Sequence, residues 1–168
     1  QKGFGGHFHN DDAIAVLRDI PGLSVVVPAR PDDAVKLLRT LVAAATQGRV
    51  SVLLEPIALY MTKDLHAPGD GGWLAPYPPP GEAAPWGKGA IVREAGTDPD
   101  LVVLTYGNGV FLALRAAKKL ESDGVKARVV DLRWLVPIDR ELCLEQAREV
   151  GRVLVLDECR RTAGPSEE

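Results

Sequence analysis

The sequence predicts an α/β protein built from two parallel-sheet units. Apolar, β-branched runs of strand length lie at residues 23–27 and 50–54, with a helical pattern between them. Three more such runs, at residues 101–105, 128–132 and 152–157, alternate with two further helical patterns. Because parallel strands are joined by crossovers of roughly a dozen residues or more, usually helices, this alternation indicates parallel pairing within each unit.

Each element of the first unit carries its own sequence signal. Residues 23–27 suit a strand buried on both faces, and Pro28 closes it. Pro31 is tolerated at a first helical position, and the two acids that follow it complement the helix dipole. We therefore predict a helix from Pro31 to the natural stop at Gly48, with a buried stripe made of Ala34, Leu37, Leu38, Leu41 and Ala45.

The second unit is predicted from the same kinds of signal. The helix after residues 101–105 should bury Val110, Ala113, Leu114 and Ala117. Asp139 is a suitable N-cap for the next helix, and Gly151 is a suitable stop. Its inward residues should be Leu142, Cys143, Ala147 and Val150.

The segment between the two units is rich in proline and glycine and has no periodicity, which is typical of a connection. Its aromatic residues Trp73, Tyr77 and Trp86 would be costly to expose together, so we expect them to anchor it to a surface. The predicted organisation is residues 1–60, a connection at 61–99, and residues 100–168. The first residue is not Met and the last strand is followed by only a few residues, so we expect both outer units to be truncated.

Composition excludes several classes of function. The formal net charge of −3 and the pI near 5.7 provide no basic field, so the chain is expected to bind neither nucleic acid nor an anionic membrane. No apolar run approaches the roughly 20 residues of a membrane span, and the start lacks the layout of a signal peptide. Two cysteines are too few for a disulfide scaffold, which favours the cytoplasm.

The strongest chemical signal is the stretch GGHFHND, a glycine-rich turn that brings His7 and His9 to the start of a helix capped by Asn10. The positive potential at a helix N-terminus keeps an imidazole neutral and able to exchange a proton near pH 7. Three interpretations stay open on the residues alone: ordinary loop histidines, a catalytic pair, or a metal site. No third ligand stands at a useful spacing, so we predict no metal.

Polar residues at the ends of the other strands allow weaker hypotheses. The turn at residues 106–109 with Asp131 is either an incomplete nucleotide fingerprint or a simple tight turn. Glu55 either lines a site together with Tyr60 or is a structural carboxylate bonded to backbone amides or an arginine. The charged run at residues 157–161 suits a solvated rim or a subunit contact, and nothing marks a base for a thiol nucleophile there.

Taken in order, these pieces resemble a known family. GGHFHND, PGLSVVVPARPDDAVKLL and VSVLLEP are similar to the rear part of the pyrimidine-binding domain of 2-oxo acid dehydrogenase beta subunits. VVLTYGNGVFLALRAAKKL, VVDLRWLVPID and VLVLDECRRTAGPSEE resemble the transketolase C-terminal domain that follows it. The resemblance implies a fragment of a thiamine-diphosphate-dependent enzyme that oxidatively decarboxylates a 2-oxo acid and passes the acyl group to lipoyl groups.

The resemblance also implies which residues act. The family's active-site histidine, in a His-Ser-Gln triplet, aligns with His9-Asn10-Asp11, which makes His9 the expected catalytic residue and His7 a secondary candidate. The residues that hold thiamine diphosphate and Mg²⁺ in the complete enzyme belong to other parts of it. We therefore expect this fragment to bind no cofactor and to be inactive alone.

Two departures from the family concern structure. Some relatives hold potassium near the turn at residues 46–50, and Arg49 argues against that ion here. Trp134 stands where relatives often have Thr, and it either faces a partner subunit or enlarges the core.

The implied partners are an alpha subunit or region, a second beta copy in a dimer or heterotetramer, and a lipoyl acyltransferase core. Two alternatives remain: another transketolase-type thiamine enzyme that acts on sugar phosphates, and a non-catalytic module for subunit assembly and docking.

Overall fold

The computed structural model describes residues 14–159 and 162–167. The predicted site residues His7 and His9 lie outside these residues. The described elements, in chain order, are α1 (Ile14–Arg18), β1 (Leu23–Val26), α2 (Pro31–Ala45), β2 (Val50–Leu53), β3 (Ala90–Arg93), β4 (Leu101–Thr105), α3 (Asn108–Ser122), β5 (Ala127–Asp131), β6 (Trp134–Val136), α4 (Arg140–Val150) and β7 (Val153–Val155). Short 3₁₀ turns lie at Ile57–Leu59 and Pro165–Glu167.

The strands form two sheets, which confirms the predicted α/β class. The first sheet has the order β2-β1-β6 and the second the order β3-β5-β4-β7. The predicted parallel pairs are present: β1 with β2, β4 with β5, and β4 with β7. Each sheet also has an antiparallel edge strand that we did not predict, β6 on β1 and β3 on β5.

These two edge strands connect parts of the chain that the sequence suggested were separate. Strand β3 lies within the predicted connection, and β6 lies within residues 100–168 but pairs with β1 of the first sheet. The division at residues 60 and 99 stays a prediction. The larger core cluster also spans the two sheets, since Val25 and Val27 pack there with Val102, Leu104 and Val130.

The predicted buried stripe of α2 is partly wrong. Leu37 and Leu41 are buried as expected, but Leu38 is 49% exposed and Ala45 is exposed. Asp33 and Ala44 are buried instead, which places the inward face at residues 33, 37, 41 and 44. The inward face therefore begins with the Asp33 carboxylate, which is paired with Arg133, and Leu38 and Ala45 lie outside it.

The helices of the second unit match the prediction closely. Val110, Ala113, Leu114 and Ala117 of α3 are all buried. Asp139 caps α4 by accepting from the Leu142 amide at 3.3 Å, and Gly151 ends the helix in the left-handed conformation with φ 75°. Leu142, Cys143, Ala147 and Val150 are half-buried, as expected of an inward face, and the buried Gln146 was not predicted.

The connection lies against the two units as an ordered strap. Trp73 is 1% exposed and packs edge-on against Phe111 at 5.1 Å between ring centroids. Arg39 of α2 donates to the carbonyl oxygens of residues 78, 79 and 82 at 2.6–3.1 Å. Trp86 is half-buried, and Tyr77 is 77% exposed, so Tyr77 is not buried with the other two rings. The Tyr77 ring instead lies beneath the Arg39 guanidinium at 5.6 Å.

Candidate functional site

The carboxyl ends of β4, β5 and β7 meet at one edge of the second sheet, where open α/β sheets place their functional groups. Three polar groups occupy this edge. They are the turn at residues 106–109, the segment from Asp131 to Arg133, and the segment from Asp157 to Cys159.

The turn at residues 106–109 is closed by protein atoms. Gly107 has φ 51°, and a β-carbon there would lie 2.9 Å from Val27 Cγ1 and 3.3 Å from Pro56 Cγ. A β-carbon on Gly109 would lie 2.1 Å from Thr105 Oγ1. Both glycines are therefore explained by close packing of the turn, which favours the tight-turn interpretation over a phosphate-binding one.

Asp157 has a structural role at the end of β7. Its Oδ1 accepts from the Tyr106 hydroxyl at 2.5 Å and from the Cys159 amide at 2.8 Å, and its Oδ2 accepts from the Ser166 amide at 3.1 Å. Burial alone would raise the pKa of Asp157, but these hydrogen bonds outweigh it and hold the pKa below its usual value. The prediction of a merely solvated rim is therefore wrong for Asp157, although Glu158 is exposed and accepts from Asn108 at 2.7 Å.

Asp131 and Arg133 form the most buried charged group at this edge. Asp131 is 0% exposed, and its Oδ1 accepts from the Arg133 amide at 3.0 Å. Burial raises the pKa of Asp131 to about 7, although the Arg133 charge opposes the rise. Arg133 makes a bidentate ion pair with Asp33 of α2, with Nε to Oδ2 at 2.7 Å and Nη2 to Oδ1 at 2.8 Å. Because Asp131 is enclosed, it is not placed to bind the ribose of a nucleotide.

Glu55 lies outside this edge and is exposed. Its Oε2 accepts from the Tyr60 hydroxyl at 2.7 Å, and Tyr60 is 60% exposed. That hydrogen bond is the largest cause that raises the pKa of Tyr60. Within the described part of the chain, the Glu55 side chain therefore forms a surface contact with Tyr60, and its role as a carboxylate bonded to backbone amides or an arginine stays a prediction.

Trp134 belongs to the core rather than to a surface. It is 0% exposed, and its ring packs on Trp86 at 4.5 Å between centroids. The Arg49 guanidinium lies over the Trp86 ring at 4.9 Å, so Arg49 continues this stack outward. Of the two interpretations of Trp134, an enlarged core agrees with this burial.

Within residues 14–159 and 162–167, no group of three or more His, Cys, Asp or Glu side chains lies close enough together to hold a metal ion. No described side chain is therefore assigned to Mg²⁺ or to a diphosphate. His66 is exposed in the connection, where its amide donates to Asp70 at 2.7 Å. Cys143 and Cys159 are half-buried thiols that are not joined in a disulfide.

The described residues nearest in sequence to His9 are those of α1. Ile14 and Ala15 are buried, and Ile14 packs in the core cluster shared by the two sheets. Arg18 donates to the carbonyl oxygens of Ala163 at 3.4 Å and Gly164 at 2.6 Å, which ties the chain's last described segment to α1. No described helix has the length and apolar character needed to cross a membrane.

Sequence reasoning missed the ion pair between Asp33 and Arg133. The two residues are 100 positions apart, and each sits where a surface charge is ordinary: the first turn of a helix and a turn after a strand. The one available signal was that two acids, Asp32 and Asp33, follow Pro31. One acid is enough to complement the helix dipole, so the second could have been expected to pair with a distant cation.

Comparisons with known proteins show what the chain is similar to. Residues 87–168 match the family described as "Transketolase, C-terminal domain". The chain is 35% identical, over 92% of its length, to the 2-oxoisovalerate dehydrogenase subunit beta of Bacillus subtilis, and covers 42% of that protein. It is 33% identical to the pyruvate dehydrogenase E1 component subunit beta of the same organism, over 96% of this chain and 46% of that protein. The chain thus spans less than half the length of these relatives.

Solved structures show the same fold. A structure described as "Split gene transketolase, inactive beta4 tetramer" matches with a TM-score of 0.63 and 29% identity, over 91% of this chain and 44% of that one. A transketolase point mutant from Pichia stipitis matches with a TM-score of 0.52 at 19% identity, over 86% of this chain and 19% of that one, which shows the fold alone. Residues 87–168 therefore match the transketolase C-terminal domain, and the chain is similar over most of its length to the beta subunits of 2-oxo acid dehydrogenases.

Proposed function

We propose that the chain is part of the beta subunit of a thiamine-diphosphate-dependent 2-oxo acid dehydrogenase. The observation that carries the proposal is the 35% identity to a 2-oxoisovalerate dehydrogenase subunit beta, which extends over 92% of the chain and so includes residues before the C-terminal domain. The complete enzyme would decarboxylate a 2-oxo acid oxidatively and transfer the acyl group to a lipoyl group. The relatives are named for both 2-oxoisovalerate and pyruvate, so the substrate class is an aliphatic 2-oxo acid.

When bound, thiamine diphosphate would supply the carbanion chemistry, and the protein would bind, orient and protonate the reacting groups. His9 is the residue we assign to proton transfer at the substrate, with His7 second. The support is chemical and by resemblance: an imidazole has a pKa near 6.5 and exchanges protons at neutral pH, and His9 aligns with the family's active-site histidine.

The proposed assembly is the one that the resemblance to these beta subunits implies. An alpha subunit or region would provide the residues for Mg²⁺ and the diphosphate, a second beta copy would complete a dimer or heterotetramer, and a lipoyl acyltransferase core would receive the acyl group. We also propose a cytoplasmic location, which suits a chain whose two cysteines remain thiols.

The first experiment tests the reaction. The complete protein, assembled with its alpha subunit or region, is assayed for decarboxylation of pyruvate and of branched-chain 2-oxo acids, with and without thiamine diphosphate. We expect turnover of at least one 2-oxo acid that disappears when the cofactor is removed. No turnover of any 2-oxo acid by a protein that binds the cofactor would contradict the proposal.

The second experiment tests His9. We expect His9→Ala to lower kcat on the order of 100-fold or more if the imidazole transfers a proton in the rate-limiting step. His66→Ala is the matched control, because His66 is exposed in the connection, and it should leave kcat unchanged. Normal kcat and KM in the His9→Ala enzyme would refute the assignment of His9 to proton transfer.

A second candidate function is that of a transketolase acting on sugar phosphates. The specific observation in its favour is the match to a split-gene transketolase over 91% of the chain. Assaying the complete protein with a ketose phosphate donor and an aldose phosphate acceptor separates the two functions. A cofactor-dependent transfer of a two-carbon unit, without turnover of 2-oxo acids, would replace our proposal. Binding of an acyltransferase domain without activity on either substrate class would favour the non-catalytic docking module.

A further inference from the structure

The chain crosses from the second sheet to the first within two residues, and a buried charged group lies at the crossing. The Leu132 amide still donates to Thr105 of the second sheet at 2.8 Å, whereas the Arg133 carbonyl already accepts from Val27 of the first sheet at 2.8 Å. Arg133 adopts the left-handed conformation with φ 59°, which few residues other than glycine favour. Its side chain reaches Asp33 of α2, so the backbone and the side chain of one residue both bind the first unit.

Two buried carboxylates contact Arg133, Asp33 through the guanidinium and Asp131 through the backbone amide. The Asp33 side chain is 4% exposed and receives both hydrogen bonds of the bidentate pair. Asp131 is 0% exposed, and among the described residues its Oδ2 has no hydrogen-bond partner. A buried carboxylate oxygen without a partner is costly when ionised and far less costly when it carries a proton. With Asp131 protonated, the group of three is neutral, and with Asp131 ionised it holds a net negative charge.

We propose that Asp33, Arg133 and Asp131 form a proton-operated clasp between the two sheets, closed while Asp131 is protonated and weakened when Asp131 ionises. Ionisation adds a second buried negative charge beside a guanidinium that is already bidentate on Asp33, and Asp131 Oδ2 has no donor among the described residues to compensate that charge. It also favours open states in which water reaches Oδ2. This inference does not depend on the proposed enzymatic function.

The other charged groups on the elements around Asp131 have partners of their own. Each of these cations forms an ion pair with an acid other than Asp131. The pairs are Lys36–Asp32 at 3.2 Å on α2, Arg93–Glu121 at 3.4 Å from β3, Arg128–Glu149 at 2.8 Å from β5, and Lys88–Asp139 at 3.4 Å next to Gly89. Only Arg133 and Asp33, among the described residues, act as charges on the titration of Asp131. The pKa near 7 agrees with the geometry, since burial is its largest cause.

The sign of the pH dependence follows from this direction. The pKa of Asp131 is higher in the closed state than the ordinary value of about 3.9 expected in the open state. The closed state is therefore most stable below about pH 3.9, and this stabilisation is lost as pH rises through the closed-state pKa. With a closed-state pKa of about 7 and an ordinary pKa in the open state, clasp opening should increase on the order of 50- to 100-fold between pH 5 and pH 8. The increase should level off above pH 7.5, roughly half a unit beyond that pKa.

The test is amide hydrogen exchange of Val27 and Leu132 in the complete protein from pH 5 to pH 8, expressed as protection factors so that intrinsic exchange rates cancel. We expect the protection factors of both amides to fall on the order of 50- to 100-fold between pH 5 and pH 8. Asp131→Asn mimics the protonated acid and should keep high protection at every pH. Asp139→Asn is the matched control, because Asp139 is also a buried acid of the same unit, and it should keep the wild-type profile.

A second measurement covers the case in which Asp131→Asn does not fold. Titration of the Asp131 carboxyl carbon by NMR in the wild-type protein should give a midpoint near neutral pH, and Asp33→Asn should lower Val27 protection already at pH 5. A midpoint below about 5, close to an ordinary Asp, would overturn the proposal. So would protection factors that do not change between pH 5 and pH 8, or a wild-type profile in Asp131→Asn.

Discussion

Substitution of Gly109 by Ala tests whether the turn at residues 106–109 is shaped by packing. Gly109 lies in the first turn of α3, where alanine would normally be preferred to glycine by about 1 kcal/mol. In this structure the new β-carbon would lie 2.1 Å from Thr105 Oγ1, well inside contact distance. Thr105 is 1% exposed and its Oγ1 is hydrogen-bonded to the Leu156 carbonyl, so Gly109→Ala must displace this hydroxyl or shift β4 or the start of α3.

The expected change in the free energy of unfolding combines two destabilising effects, a lost hydrogen bond and overpacking, with one stabilising effect, the higher helix propensity of alanine. Thr105 Oγ1 donates to the Leu156 carbonyl at 2.8 Å, which joins β4 to the residue after β7, and loss of this hydrogen bond costs about 1 kcal/mol. Overpacking of a filled site costs about 1–3 kcal/mol more. After the gain in helix propensity, we expect Gly109→Ala to lower the free energy of unfolding by about 2 kcal/mol. For a chain of this size, that loss lowers Tm by roughly 4–8 °C.

A double-mutant cycle with Thr105→Ala supplies the control. Without Oγ1 the nearest atoms to the new β-carbon are Thr105 Cβ at 3.4 Å and the Leu156 carbonyl oxygen at 3.6 Å, which are ordinary contacts. In that background Gly109→Ala should be neutral or stabilising, with a coupling of about 2–3 kcal/mol measured by urea unfolding. An equal destabilisation in both backgrounds would refute the packing argument and reopen the possibility of a ligand-binding turn.

Three further predictions test other parts of the fold. Asp139→Ala removes the α4 cap and the acceptor of the Gly89 amide, so the free energy of unfolding should fall by about 1–2 kcal/mol in urea denaturation. Trp134→Ala should cost about 3–5 kcal/mol by the same measurement, and Trp134→Phe much less. Backbone hydrogen bonds, chiefly from Gly72, hold the pKa of Asp70 below its usual value, so order in residues 64–73 should decline as pH falls below about 4. Asp70→Asn should remove that pH dependence in limited proteolysis.

The parts of the fold that sequence predicted well are those with a long periodic pattern. Helix α3 has four buried apolar side chains at helical spacing, Val110, Ala113, Leu114 and Ala117, and a pattern of that length favours a helix over a strand. The ends of α4 were also predictable, because Asp139 and Gly151 satisfy backbone groups by local chemistry that does not depend on the rest of the fold.

The unpredicted strands β3 and β6 are short and lack such patterns. They have four and three residues, respectively, and follow segments rich in proline or turn residues. Both form because an edge of a parallel sheet offers unpaired backbone groups, which a nearby extended segment satisfies whatever its side chains. Such pairing depends on tertiary position and leaves little trace in the sequence.

The candidate site divides in the same way. His7 and His9 were found from local chemistry and a resemblance, and they remain predictions because they lie outside the described residues. The buried group at Asp33, Arg133 and Asp131 was found only in three dimensions, since its members come from a helix, a strand end and a turn. Sequence identified the residue types that carry proton chemistry but not which carboxylates the fold would bury together.

The turn at Arg133 explains why a strained backbone is retained where the two sheets join. A left-handed residue other than glycine costs on the order of 1–3 kcal/mol, and glycine at this position would avoid most of that cost. Glycine would also remove the guanidinium and leave Asp33 buried without a counter-charge, which is more costly than the strain itself. Because Trp134 follows at once and is fully buried, the same turn also directs the largest side chain of β6 into the first unit's core. The strain is therefore offset by a charge pair and a buried ring on the far side of the crossing, both of which depend on the position of this one turn.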